Sequence, residues 1–263
     1  MSYWILLLVS LLFSAVGFYM YIYFFSVGYG LSVAAIGVTL AIGFRAHIGV
    51  GELLVCLLLV IYGLRLSGYL LIREIKSLAY RKVLSPEMTR SKKMPIGPKL
   101  AIWVSCALLY TLETIPVYFR LQNGAPADAM LYVGFAVMLL GLALEACADL
   151  QKSAAKKKAP YAFVSTGLFR FVRCPNYLGE LILWLGVVLS GSTALKGAWQ
   201  WILALLGYAL LIYIMFSGAR RLEIRQNKNY GSDPAYQEYV KRVPILLPFI
   251  PLYSVEKYKW LIA

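Results

Sequence analysis

Acidic residues are scarce in this chain of 263 residues, 12 Asp and Glu against 26 Lys and Arg, and histidine occurs once, at His47. The four cysteines (Cys56, Cys106, Cys147, Cys174) stand singly, without metal-ligand or redox spacing. That pattern argues against a disulfide framework and against a zinc site. A Gly-rich dinucleotide loop is also missing: Gly63-Leu-Arg-Leu-Ser-Gly68 lacks the GxGxxG spacing and follows no strand pattern. Walker and catalytic-triad patterns are absent as well. Redox chemistry in such a chain would need a diffusible cofactor.

What the sequence has in excess is apolar surface. It is 61% hydrophobic and 14% charged, with a mean hydropathy of +0.71. Apolar runs long enough to cross about 30 Å of hydrocarbon recur along it. They predict an all-α, polytopic membrane bundle of about seven helices forming one domain over 1–263, with spans near 4–25, 30–44, 48–66, 99–119, 129–148, 177–192 and 198–217. The first run has no preceding Lys or Arg and no small-residue cleavage pattern, so it reads as a retained helix. The net charge of +14 invites a nucleic-acid partner, but 22 of the 26 cations fall in 66–99, 148–175 and 218–263, alternate loops of the bundle. By the positive-inside rule these segments are cytoplasmic, the N-terminus is outside and the C-terminus inside. The charge is thus assigned to topology and to anionic lipid, not to nucleic acid.

Several loops carry their own signals. The stretch 74–98 holds Pro86, Pro95 and Pro98 among many charges and is expected to be ordered only in part. Asn229–Pro234 reads as a turn before a short amphipathic helix ending at Pro244, after which Leu246-Leu-Pro-Phe-Ile-Pro-Leu-Tyr253 returns apolar surface to the membrane. Such a tail would cover whatever the cytoplasmic mouth binds.

Three polar pairs at i, i+4 share a helix face: Glu145 with Asp149, Asn176 with Glu180, and Arg221 with Arg225. Each lies at the cytoplasmic end of its span. Converging, they would suit a ligand with hydroxyls, an amide and phosphates, since carboxylates accept hydroxyl protons and guanidinium forks match phosphate. The structural alternative is a salt-bridge network closing the helix ends. Elsewhere, Tyr62 and Arg65 are one turn apart, and a tyrosine there can polarise a carbonyl or simply anchor the interface. Glu52 lies deeper in the same helix with no local partner, which makes it a functional candidate because ionisable groups inside a bilayer are costly. His47 and Arg45 read as boundary anchors, and Glu113, near Thr114 and Pro116, as a residue that snorkels or tightens a kink.

Ala148-Asp-Leu-Gln151, Thr166-Gly-Leu-Phe-Arg-Phe-Val-Arg-Cys-Pro-Asn-Tyr-Leu-Gly-Glu180, Tyr62-Gly-Leu-Arg-Leu-Ser-Gly-Tyr-Leu-Leu71 and Tyr236-x-x-Tyr239-x-x-Arg242-Val-Pro244 together resemble the steroid 5-alpha-reductase family and its bacterial relatives, over about 55–250. The resemblance implies a multi-pass membrane enzyme of the bacterial inner membrane or endoplasmic reticulum. Such an enzyme uses NADPH on its cytoplasmic side to reduce a carbon–carbon double bond conjugated to a ketone. It places Glu145, Asp149, Tyr161, Asn176 and Glu180 along the NADPH pocket, with Arg170 and Arg173 near phosphate. Arg221, Arg225 and Tyr230 match positions after the last span, and Tyr62 matches the tyrosine that hydrogen-bonds the substrate ketone. Two departures stand out: Cys174 replaces a histidine usual in bacterial relatives, and the early Gln-Glu pair of steroid-reducing members is absent, with Glu52 the nearest substitute. The expected partners are a lipophilic, steroid-like small molecule and membrane lipid, with the protein a monomer. Two other readings remain open. One is an S-adenosylmethionine-dependent membrane methyltransferase of the isoprenylcysteine or phospholipid type, which shares Arg-x-Pro-Asn-Tyr-x-Gly-Glu. The other is a non-enzymatic sterol- or lipid-binding protein.

Overall fold

The computed structural model describes residues 1–262, with backbone alone at 78, 79, 82 and 83, and over them it is all-helical with no strand. The helices are α1 (Trp4–Ser14), α2 (Val27–Gly43), α3 (Val50–Lys76), α4 (Leu78–Lys93), α5 (Ile96–Gln122), α6 (Ala129–Lys158), α7 (Pro175–Ser192), α8 (Gly197–Tyr230) and α9 (Pro234–Arg242). Short 3-10 turns lie at Ala15–Phe18, Tyr21–Phe25 and Gly167–Arg170. Among the described residues, five segments are long and apolar enough to cross a bilayer: Tyr21–Gly43, α3, α5, α6 and α8.

Two local expectations change. The stretch 4–25 is not one helix. α1 stops at Ser14, whose hydroxyl donates back to the Ser10 carbonyl at 2.6 Å, and two 3-10 turns follow. The Phe24 ring occupies the space a side chain on Gly17 would fill, so the missing β-carbon lets the chain fold over itself. The segment expected to be a partly ordered loop is instead helix α4. Ser77 caps it, accepting from Tyr80 N–H at 3.2 Å, and Tyr21 N–H donates to Ser91 Oγ at 3.0 Å. The Tyr21 hydroxyl bonds Glu87 and the Tyr23 hydroxyl donates to Glu74 at 2.8 Å just before the helix. These tertiary ties outweigh the one backbone bond that Pro86 removes.

The chain forms two compact units: residues 1–135 with 187–207, and 136–186 with 208 to the C-terminus. In the first, α2 and α3 touch backbone to backbone. A β-carbon on Gly30 would lie 2.5 Å from the Gly63 carbonyl oxygen, and one on Gly63 would lie 2.7 Å from the Ala34 nitrogen. Small residues allow this approach, the usual device for helix packing in lipid, where apolar burial gives little drive. Ser67 Oγ donates to the Val27 carbonyl at 2.9 Å across the same crossing.

In the second unit, α6 and α7 cross equally closely at Gly141 and Gly179. A β-carbon on Gly141 would meet the Gly179 carbonyl at 2.6 Å, and one on Gly179 would meet the Glu145 nitrogen at 2.6 Å. Pro175 opens α7, where its missing N–H costs nothing. α9 starts as its sequence predicts, with Pro234 in its first turn and Asp233 accepting from Ala235 N–H at 2.9 Å.

Candidate functional site

The α6–α7 crossing sets the geometry of the polar cluster in the second unit. It seats the backbone of Glu145 against Gly179, next in sequence to Glu180. Glu145 (3% exposed), Asp149 (7%) and Glu180 (8%) are all buried, and Asn176 lies one turn before Glu180 at the start of α7. The Tyr177 ring rests against Gly218 of α8. Tyr177 also lies within electrostatic reach of Glu180, Arg221 and Arg225. Two buried acids on α6, an amide and an acid on α7, and two exposed guanidinium groups on α8 therefore gather at one end of this unit.

The loop and tail are stitched to that end. Gln151 Oε1 accepts from Leu168 N–H at 2.8 Å, tying α6 to the 3-10 turn that carries Arg170. Arg173 N–H donates to the Pro244 carbonyl at 2.9 Å and Cys174 N–H to the Ile245 carbonyl at 3.0 Å, so the tail pairs with the chain entering α7. The Tyr239 hydroxyl donates to the Phe169 carbonyl at 2.7 Å. Lys156 Nζ donates to the Ala162 carbonyl at 2.7 Å and to the Tyr230 hydroxyl at 3.1 Å, and the Tyr230 ring joins Phe163 and Tyr236.

Arg173 lies inside. Its side chain is 1% exposed, and Nη2 donates to Glu223 Oε1 at 2.8 Å and to the Tyr253 carbonyl at 2.5 Å. Glu223 Oε2 accepts from Val255 N–H at 2.9 Å. Arg173 Nε and Nη1 have no hydrogen-bond acceptor among the described residues. Burial pushes the neighbouring Cys174 thiol up to about 12, the nearby cations Lys152 and Arg173 pulling the other way, so it stays protonated and unreactive near neutrality. Arg170 stands exposed beside the Phe171 ring, and Tyr161 is 91% exposed. Those two are not drawn into the cluster.

In the first unit, Tyr62 is fully buried, its hydroxyl 3.3 Å from that of Tyr29. Glu52 is not beside it. Ten residues of α3, about 15 Å of helix rise, separate the two. Glu52 accepts instead from Arg120 Nε at 3.3 Å, in a pair whose side chains are 1% and 5% exposed. Arg120 further donates to the Ser190 and Pro126 carbonyls, to Thr193 Oγ1 and to Asp128 Oδ2. This network borders a cavity of about 360 Å³ that also reaches His47, Gly49 and Ala127. No group of three or more His, Cys, Asp or Glu among the described residues is arranged to hold a metal ion.

Sequence reasoning missed Glu223, Arg120 and Tyr29. Glu223 carried a signal, since it lies on the opposite side of α8 from Arg221 and Arg225 and so had to face inward when they face out. Arg120 had a weaker one, being among the few cations outside the three basic segments.

A family model described as "Protein of unknown function (DUF1295)" matches residues 22–243. The chain is 26% identical over 162 residues to a very-long-chain enoyl-CoA reductase of Dictyostelium discoideum, covering 58% of this chain and 48% of that protein. It is 26% identical over 119 residues to 3-oxo-5-alpha-steroid 4-dehydrogenase 1 of Rattus norvegicus, covering 44% and 40% respectively. The matched stretches thus span less than half the length of these relatives. No solved structure matches the chain.

Proposed function

Because the chain belongs to the DUF1295 family, which is steroid 5-alpha-reductase-like, we propose that it is an integral membrane reductase saturating a carbon–carbon double bond conjugated to a carbonyl, with NADPH as reductant. The observation that carries this reading is the convergence of Glu145, Asp149, Asn176 and Glu180 with the Arg221–Arg225 face. The donor set fits such a cofactor. Carboxylates accept from ribose hydroxyls and a carboxamide, Asn176 pairs with an amide edge, and the two guanidinium groups, with the unsatisfied donors of Arg173, match phosphate. Supporting the substrate class are the names of the two relatives, one acting on an enoyl thioester and one on a 3-oxo steroid.

When bound, the reduced nicotinamide supplies a hydride to the β-carbon of the enone. Tyr62 donates a hydrogen bond to the carbonyl oxygen, on which negative charge grows, and a proton then completes the α-carbon. Glu52, ten residues away and paired with Arg120, takes no part in that step. Tyr161, Arg170 and Tyr230 border the entry to the polar cluster in this reading.

The same reading gives seven crossings, with α1 and its 3-10 extension and the 18-residue α7 joining the five long segments. In it the N-terminus is outside and the cofactor side cytoplasmic, which the distribution of Lys and Arg supports.

Purification in mild detergent tests the cofactor directly. The expected result is an absorbance band at about 340 nm from retained NADPH, with Asp149→Ala weakening NADPH affinity by about tenfold or more. A retained S-adenosyl compound would replace the reductase with the methyltransferase, and unchanged affinity in Asp149→Ala would remove Asp149 from the site.

A further inference from the structure

Arg120 borders the cavity of about 360 Å³ in the first unit, and every hydrogen it can give is engaged. A guanidinium carries five N–H donors. Nε donates to Glu52 Oε1 at 3.3 Å, Nη1 to the Ser190 carbonyl at 3.0 Å and to Thr193 Oγ1 at 3.1 Å, and Nη2 to the Pro126 carbonyl and to Asp128 Oδ2. Both Asp128 oxygens are engaged too, Oδ1 by Leu131 N–H and Oδ2 by the Thr193 hydroxyl as well. Glu52 Oε2 differs. The Glu52 side chain is 5% exposed and lines the cavity, yet Oε2 takes no hydrogen bond among the described residues. A β-carbon on Gly49 would lie 2.6 Å from that oxygen. The Gly49 backbone, at φ −81° and ψ 170°, is open to any residue, so what glycine provides is space in front of the carboxylate. The rest of the lining, Leu121 and the turn 124–127 with exposed His47, adds no Lys or Arg. Counted as ions, two carboxylates face one guanidinium, and a buried anionic oxygen is costly until a donor meets it.

We propose that this cavity binds a small organic cation through a primary ammonium group, whose N–H donates to Glu52 Oε2. The lining decides the sign of the ligand. An anion would meet the excess carboxylate and find every Arg120 hydrogen engaged. The positive end of α3 is already answered by Glu52 in its first turn. The lining also decides the kind of cation. No group of three or more His, Cys, Asp or Glu among the described residues is arranged to hold a metal ion, and the volume falls in the range of small-molecule sites, about 300–1,000 Å³. A quaternary ammonium has the charge but no hydrogen for Oε2, so it forgoes the charge-assisted bond. The same ammonium chemistry is offered by a free amine and by the headgroup of phosphatidylethanolamine. This inference does not depend on the reductase reading, in which Glu52 takes no part.

The test melts the full chain in detergent against increasing ethanolamine hydrochloride, with choline chloride and sodium chloride at matched ionic strength. Ethanolamine is expected to raise the melting temperature saturably, beyond either salt. Gly49→Ala keeps every charge but sets a β-carbon against Oε2, and it should weaken the apparent ethanolamine affinity by about tenfold or more. A second arm places both proteins in phosphatidylcholine nanodiscs containing phosphatidylethanolamine and counts retained lipid by native mass spectrometry. Phosphatidylethanolamine held by the parent and lost in Gly49→Ala assigns the site to the lipid headgroup. An ethanolamine response with no such lipid retention assigns it to a free amine. A choline or sodium response equal to that of ethanolamine overturns the proposal, and so does an ethanolamine affinity unchanged in Gly49→Ala. The absence of both the melting response and the lipid retention overturns it as well.

Discussion

Arg120 shows what one buried cation can hold together. Its guanidinium reaches α3 through Glu52, the start of α6 through Asp128, and the end of α7 through Ser190 and Thr193. Replacing it with Met leaves Glu52 buried without its counter-charge, and such losses cost about 3–5 kcal/mol. The expected outcome is a large drop in melting temperature in detergent, with Glu52→Gln in the same chain restoring part of it. Asp128 adds a pH dependence. Burial raises its carboxyl, but hydrogen bonds from Thr193, Leu131 N–H and Arg120 more than reverse this and hold it at about 2. A folded value below the unfolded one stabilises above the usual carboxylate range, and that stabilisation is lost as pH falls through it. Asp128→Asn should therefore melt lower than the parent near neutrality, the gap closing between about pH 4 and pH 2. None of this was legible in sequence. Glu52 and Arg120 are 68 positions apart, and periodicity sees only the partners that one helix supplies. Glu145 with Asp149 was legible because its spacing is local.

At the scale of elements, two glycine crossings do the positioning, and their substitution separates space from helix propensity. A β-carbon at Gly179 would press on the Glu145 backbone at 2.6 Å, and backbone cannot swing aside as a side-chain tip can. Gly179→Ala should cost about 1–3 kcal/mol and weaken nucleotide binding along with stability, because the helix it displaces carries Glu145 and Asp149. Gly68→Ala is the contrast. A β-carbon there would have no neighbour within 4 Å, so the outcome should be neutral or stabilising by up to about 1 kcal/mol. Melting curves of the two variants with and without NADPH distinguish the cases. Helix existence and type could be read from apolar periodicity for α3, α5, α6 and α8. α4 could not, because its order comes from Tyr21, Tyr23 and Ser91, contacts that a charged, proline-bearing stretch does not advertise.

For the whole molecule, the positive-inside reading makes a prediction about sides. Single cysteines placed at His47 and Lys196 should react with a membrane-impermeant maleimide on intact cells, and one at Ser232 only after permeabilisation. The reverse pattern would invert the topology and put the polar cluster of the second unit on the outer face. The family resemblance reached most of the polar cluster because those residues sit in contiguous motifs. It could not reach the tail's attachment, which depends on carbonyl groups and so leaves no mark in residue identity.

That attachment has a consequence for biosynthesis. Arg173 is enclosed by carbonyls of Pro244 and Tyr253, and its acidic partner Glu223 is fastened by the amide of Val255. The entry to α7 therefore reaches its final form only after residue 255 has left the ribosome, beyond the end of α8 at Tyr230. A nascent chain stalled earlier would hold its long apolar helices and still lack the finished entry to α7. Ligand competence should be the last property the newly made protein acquires.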